Sequence, residues 1–353
     1  MSTCDRWLLR RFFGAYLAFL VVGLLLFLAI DLPVNAARLQ RKGLAQSVPL
    51  RYGTLLPELF YLAAPYLTLL SALWVTTALR RSNELLGLLS LGYSSRRLAW
   101  PLLLGALLVA PLTWADRELL LPALGDLRRA EARLGGVRDH WSSPRPIPDA
   151  QGGVFMAAGY HLGLREAREL TFVQLDPGGR ERRSIHAERG RWVEEGGAGR
   201  WLLSNGVVIE EAGPGERVTP FAAKGHWLDT PITPADVETA HDPRYASAEE
   251  IRERLRRTPG FPALEVELWR RYGQPLAGAV LLLVALPLTL GHGEGRPSLR
   301  GLLSLGAALC YFVAVTFCSE LGGQGLLPPA AAVALPPLAF ATFGALLGLR
   351  ARV

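Results

Sequence analysis

Apolar residues in this chain come in long runs, not singly. Six runs stand out, at about 12–34, 56–79, 98–115, 273–291, 301–319 and 328–349. A helix needs about 20 mostly apolar residues to cross about 30 Å of hydrocarbon. Pro101 and Pro111 interrupt the third run, which a helix bundle tolerates where neighbours satisfy the freed carbonyls. A polar stretch of about 150 residues separates the third run from the fourth. The pattern predicts an α-helical membrane protein with six transmembrane helices, three on each side of an inserted extramembrane domain. The expected divisions are residues 1–121, 122–268 and 269–353.

Inside the polar stretch the periodicity changes twice. Asp126 to Arg138 is charged and helix-like, and is expected to prolong the third span. Pro144, Pro146 and Pro148 then break the pattern. From about 150 to 230, short β-like runs alternate with turn residues: Thr171–Leu175 before Asp176-Pro177-Gly178-Gly179, Arg191–Val193 before Gly196-Gly197, and Trp201–Leu203. Asn205-Gly206 between Leu203 and Val207 reads as a hairpin turn. Many short strands with regular turns suggest a β-sandwich or jelly roll. Farther on, Ser247 and Glu250 have capping-box spacing. They open a short helix at about 247–257, with Glu250–Arg254 and Glu253–Arg257 as expected i,i+4 pairs.

Charge sets the expected orientation. Arg6, Arg10 and Arg11 precede the first run, Arg80, Arg81, Arg96 and Arg97 bracket the second loop, and Arg350 and Arg352 follow the last run. Short Arg-rich loops stay cytoplasmic. Both termini are therefore expected in the cytoplasm, with the large domain facing outward. The net charge of +7 is then mostly topological and gives no basic nucleic-acid face. The first run is longer than a signal-peptide core and reads as a retained anchor. The three cysteines, Cys4, Cys310 and Cys318, lie outside the inserted domain, which must hold together by its own core.

Patterns for catalysis are missing. Lys42 and Lys224 are each followed by Gly, whereas a P-loop needs Lys followed by Ser or Thr. No His-Glu-x-x-His motif occurs, and the six histidines lack metal-ligand helix spacing. Ser184 and His186 share a strand face without an evident acid, which leaves a hydrolase triad incomplete. The chain is read as non-catalytic, without a metal or a cofactor of its own.

Two segments carry candidate function. In Arg80–Gly92, Ser82 or Asn83 can cap a short helix at about 82–92, Gly92 can end it, and Leu85, Leu88 and Leu89 form one apolar stripe. Such a helix could lie on lipid, pack on the bundle or dock a partner through Glu84. Arg38, Arg41 and Lys42 lie just outside the first run. They are either solvated charges or a clamp for an anionic lipid headgroup, where guanidinium forks suit phosphate.

These residues, in this order, resemble the LptF/LptG permeases of the lipopolysaccharide-export ABC transporter. Asn83-Glu84-Leu85 through Arg97-Leu98 is similar to the family's coupling segment, Glu118–Pro122 to the end of its third helix, and Trp201–Gly206 to its strand and turn. Glu267–Arg271 resembles the approach to the fourth helix, and Leu321–Pro329 with Leu335-Pro336 the final loop and helix. The resemblance implies a periplasmic β-jellyroll and a permease subunit that takes lipopolysaccharide or a related glycolipid from the outer leaflet. It further implies a partner permease, an LptB-like ATPase dimer that binds ATP and Mg, and LptC-like and LptA-like periplasmic proteins. On this reading Glu84, with Leu85, Leu88 and Leu89, couples to the ATPase. Arg38, Arg41 and Lys42 hold lipid headgroups, while Phe172, Trp201, Leu203 and Val207 are candidates for an acyl path or simply for the domain core. Competing readings are another ABC-type lipid or lipoprotein exporter, or a membrane-anchored sensor or enzyme with a β domain.

Overall fold

The structure is a computed structural model that describes residues 2–41, 44–125, 141–144, 146–149, 152–161, 164–175, 181–195, 198–212, 215–222, 225–241, 246–257, 262–291 and 297–350. It forms two compact units. The first comprises Met1–Gly43, Leu55–Leu120 and Pro262–Val353, and the second Leu44–Thr54 and Leu121–Phe261. The segment expected to prolong the third span, Asp126 to Arg138, lies outside the described residues.

The first unit is helical. Its elements are α1 (Thr3–Arg41), the greater part of α2 (Leu44–Arg81), α3 (Glu84–Ser90) and α4 (Ser95–Ala115), which continues as a π-helical turn over Asp116–Leu120. Among the described residues, six helical stretches are long and apolar enough to span a membrane: Thr3–Ala36, Arg51–Arg81, Ser95–Gly125, Pro262–Leu290, Leu299–Gly323 and Pro329–Leu349. The expected split of three spans on each side of an inserted β region is present.

The helices of the chain's second half follow from composition. After the sheet come α5 (Pro234–His241) and α6 (Ala248–Arg257), and then α7 (Pro262–Gly273), α8 (Ala277–Leu290), α9 (Pro297–Gly323) and α10 (Pro329–Arg350). Helix α8 is apolar on every side, so it becomes the centre of the first unit, with Leu281, Leu282, Ala285, Leu286 and Leu290 buried. Its C-terminal carbonyls have no intrahelical donors. Side chains from other helices supply them: Arg80 Nε donates to Thr289 O (2.7 Å), Arg300 Nη1 to Gly291 O (2.5 Å) and Ser95 Oγ to Leu290 O (3.4 Å). Cations at a helix C-terminus also meet the negative end of its dipole.

The second unit is built on one antiparallel sheet. Its strands are β1 (Trp141–Ser142), β2 (Ile147–Pro148), β3 (Gly153–His161), β4 (Glu166–Leu175), β5 (Glu181–Glu195), β6 (Ala198–Ala212), β7 (Gly215–Phe221) and β8 (His226–Leu228). The order is β1-β3-β4-β5-β6-β7, with β2 also on β3 and β8 also on β6. The sheet is thus a meander whose two outer positions are each shared by two short strands. It rolls far enough for its outer strands to communicate, since Thr230, just past β8, hydrogen-bonds Asp149, just past β2 (3.2 Å).

A crease makes the roll. Ala158, Glu169, Glu188 and Asn205 stand in one row across β3 to β6, where the register omits their pairing. Glu169 (φ 48°) and Asn205 (φ 53°) adopt left-handed backbone there. In each strand the inward-facing positions step by three residues across this row instead of two. Ala157 is followed by Tyr160, Ala167 by Leu170, Ala187 by Gly190, and Leu203 by Gly206 on the way to Val208. Both sides of the crease therefore keep an apolar face toward one interior.

This corrects the expected hairpin at Asn205-Gly206. Strand β6 runs through it without reversing, paired with β5 from Arg183↔Glu210 to Glu195↔Ala198 with only Glu188 and Asn205 skipped. The residue chemistry was read correctly but the turn was not. Asn tolerates the left-handed backbone, and a Cβ on Gly206 would sit 2.1 Å from His186 O.

Helix α6 carries the expected capping box, with Glu250 N donating to Ser247 Oγ (3.1 Å) and Ser247 N to Glu250 Oε2 (2.7 Å). Of the two expected i,i+4 ion pairs, Glu250–Arg254 is replaced, and the Arg257 side chain of the other lies outside the described residues. Arg254 shares the buried side of α6 with Ile251 and turns to Asp236 of α5 (3.7 Å), while Glu253 pairs with Arg256 (3.7 Å). Burial lowers the pKa of Arg254, and Asp236 opposes that shift.

Candidate functional site

The sequence placed its coupling candidates in Arg80–Gly92, and the structure makes that segment a short helix between two turns. Asn83 is the N-cap of α3 with left-handed backbone (φ 58°) and no side-chain capping bond. Gly92 (φ 85°) closes the other end, where Gly92 N donates to Leu89 O (3.0 Å) and Tyr93 N to Leu88 O (3.1 Å). Leu85 is buried, and Leu88 and Leu89 pack half-buried against the same helical core. The stripe seats α3 on its own bundle. The apolar side chains left outward are Leu86 and Leu91, both well exposed.

Glu84 stands at the edge of this surface. It is forked by Arg11 of α1, with Nη1 to Oε2 at 2.7 Å and Nη2 to Oε1 at 3.4 Å. The two side chains are 39% and 37% exposed. The Arg11 guanidinium also lies over the Trp7 ring, 4.0 Å from its centroid. Sequence reasoning missed Arg11, which it counted only among the basic residues that set topology. The partners are 73 positions apart, and nothing in the local pattern couples them.

A second polar group was also missed as a group. Arg117 and Glu118 lie on the π-helical turn after α4, and Glu267 and Arg271 lie on α7. Arg117 Nη2 donates to Glu267 Oε1 (2.5 Å), and Arg271 Nη1 to Glu118 Oε2 (3.1 Å). Both arginines are 1% exposed. Arg117 also faces the Tyr61 ring (5.5 Å), whose hydroxyl donates to Gln274 Oε1 (3.0 Å). Two crossed ion pairs thus join the third candidate span to the fourth. The available signal was charge at the ends of apolar runs, since intramembrane ionisable residues pair with one another. The sequence motifs include Glu118 and Glu267–Arg271, but nothing in them marks these residues as each other's partners.

The basic cluster beside the first span is beyond this geometry. Lys42 lies outside the described residues, and Arg38 and Arg41 belong to α1 with side chains outside them. The acyl-path candidates sit in the rolled sheet. Phe172, Trp201 and Leu203 are buried in its core, and Val207 is half-buried. Trp201 is the hub, with ring contacts to Phe155, Tyr160 and Trp192 and an Nε1–H donated to Ile232 O (2.8 Å). Side chains of the sheet, together with Ile232 and, from α5, Val237, fill this interior.

Three described histidines have local partners. His161 Nδ1 accepts from Leu164 N (3.1 Å), and His186 meets Thr171 Oγ1 (3.1 Å). His226 stacks against Phe221 (5.2 Å between centroids) and lies 3.4 Å from Arg183 Nη2. Among the described residues, no three His, Cys, Asp or Glu side chains could hold a metal ion together.

Six apolar spans, a β domain inserted after the third and a partly exposed helix seated between the second and third define a multi-pass membrane protein. The chain belongs to the LptF/LptG family: the family described as "Lipopolysaccharide export system permease LptF/LptG" matches residues 6–350. Comparison with curated proteins gives no match. Membership makes the chain a lipopolysaccharide-export permease of the inner membrane, in a family whose members are non-catalytic transporter subunits.

Proposed function

We propose that this chain is the transmembrane subunit of an ABC transporter that extracts lipopolysaccharide, or a related glycolipid, from the outer leaflet of the inner membrane. It passes the lipid to a periplasmic bridge of LptC-like and LptA-like proteins. ATP and Mg2+ bind an LptB-like ATPase dimer, and a second LptF/LptG-type permease completes the cavity. The observation that carries this reading is α3, whose apolar stripe is anchored inward while Glu84, Leu86 and Leu91 face out. A helix fixed on one side and bare on the other suits docking of a separate subunit. Glu84 keeps acceptor capacity for a partner's cation, because a carboxylate offers about four lone-pair sites and a forked arginine uses two.

The Arg-rich ends favour cytoplasmic termini and a periplasmic β domain. Arg38, Arg41 and Lys42 then lie near lipid phosphates, where they bind headgroups. Extraction removes acyl chains from the bilayer at about 0.8 kcal/mol per CH2. An apolar path offsets this, and Phe172, Trp201, Leu203 and Val207 line the candidate route once the packed interior opens.

The test is to purify the tagged chain from its native membrane in mild detergent and identify what accompanies it. A small P-loop ATPase and a second six-helix permease are expected. A chain that purifies alone under several gentle conditions overturns the reading. Glu84→Arg should release the ATPase with membrane insertion intact, and normal export by that variant would remove Glu84 from docking.

A further inference from the structure

Helix α1 is held at its beginning and bare beyond it. Leu8, Phe12 and Tyr16, spaced by four residues along one face, are buried. Farther along, Leu17, Val22, Leu25, Leu26, Ile30 and Val34 are 60–78% exposed. The Phe12 ring occupies the place of a side chain on α4, since a Cβ on Gly105 would lie 2.7 Å from it. Phe19 against Trp74 of α2 (6.1 Å, edge-on) is the last ring contact along α1 among the described residues. The buried end is also where Arg11 forks Glu84 at the start of α3.

We propose that Arg11 is a positioning residue of the coupling step: it carries movement of α3 to the seated end of α1, which pivots on Phe12 in the Gly105 notch. The proposal rests on the reading of α3 as the ATPase-docking helix. Arginine suits the role because its planar fork holds both carboxylate oxygens while its face stacks on Trp7. An ion pair exposed to this degree contributes little to folding, so the link can be cut without unfolding the chain. The geometry amplifies motion. Val34 lies about 33 Å along the axis from Phe12, so a tilt of about 5° moves it by roughly 3 Å.

The test uses the full chain with its co-purified ATPase in lipid nanodiscs. Cys4, Cys310 and Cys318 are replaced by Ser, and spin labels are placed at Val22→Cys on α1 and Leu309→Cys on α9. Distances are read with and without ATP. An ATP-dependent change is expected with Arg11 present, lost in Arg11→Gln while the ATPase still co-purifies, and partly recovered in Arg11→Lys. In Glu84→Arg both the distance change and the bound ATPase are lost. An unaltered change in Arg11→Gln overturns the proposal and leaves the docking reading standing, as does the absence of any change with Arg11 in an otherwise coupled complex. A chain with no associated ATPase overturns the docking reading itself, and the proposal with it.

Discussion

Removing Arg271 should cost far more stability than removing Arg271 and Glu118 together. The Arg271 side chain is 1% exposed and that of Glu118 18%, at 3.1 Å. At an effective dielectric constant of about 20, two unit charges at that distance attract by about 5 kcal/mol. Desolvating them costs several kcal/mol per ion, so the intact pair contributes little net stability. Arg271→Met deletes the attraction and leaves the desolvated Glu118 carboxylate without this cation. The expected loss is about 3–5 kcal/mol, and the double variant Arg271→Met/Glu118→Leu should lie near the wild type. Denaturant unfolding in bicelles of both single variants, the double variant and the wild type gives the coupling energy as a double-mutant cycle. Single and double variants that unfold alike, or an Arg271→Met loss below about 1 kcal/mol, would refute the buried-pair reasoning.

Three further outcomes are expected. Gly206→Val places a side chain against His186 O and should destabilise the β domain by about 1–3 kcal/mol, read as faster amide exchange along β5 and β6; unchanged exchange would refute the crease geometry. Trp201→Phe forfeits the bond to Ile232 O and leaves that carbonyl short of a donor, a loss of about 1–3 kcal/mol that should loosen the segment around Ile232 in the same assay. Burial, then the Arg183 guanidinium, holds the His226 imidazole below its ordinary 6.5, with Glu210 opposing. The unfolded state therefore binds the proton more readily, so protection of the β6–β8 pairing should be full above about pH 6.5 and decline as pH falls through the folded-state value. In His226→Gln this pH dependence should be reduced.

Much of the architecture was legible because hydropathy is a local, summed property. The apolar runs located all six spans, and β-like runs between turn residues located parts of β4, β5 and β6. The capping box at Ser247 was visible because its donors and acceptors lie within one helical turn. Turn chemistry misled at Asn205-Gly206, since the left-handed backbone that makes a tight hairpin also makes a crease in a continuous strand. Glu84 stands out in the sequence as a docking candidate within Arg80–Gly92, whereas its ion-pair partner Arg11 does not. The stripe Leu85, Leu88 and Leu89 was read correctly as apolar, but sequence left open which surface it would meet.

By itself the sequence determined that this chain spans a membrane six times, carries a β domain between two halves and belongs among the LptF/LptG permeases. Those properties depend on composition over windows of about 20 residues and on the order of short motifs. Only the tertiary structure decided which charges meet. Arg117 and Glu267 are 150 positions apart, Arg271 and Glu118 are 153, and Arg11 and Glu84 are 73. An ion pair needs a few ångströms of proximity, and that proximity is set by helix packing, which no local pattern of residues encodes.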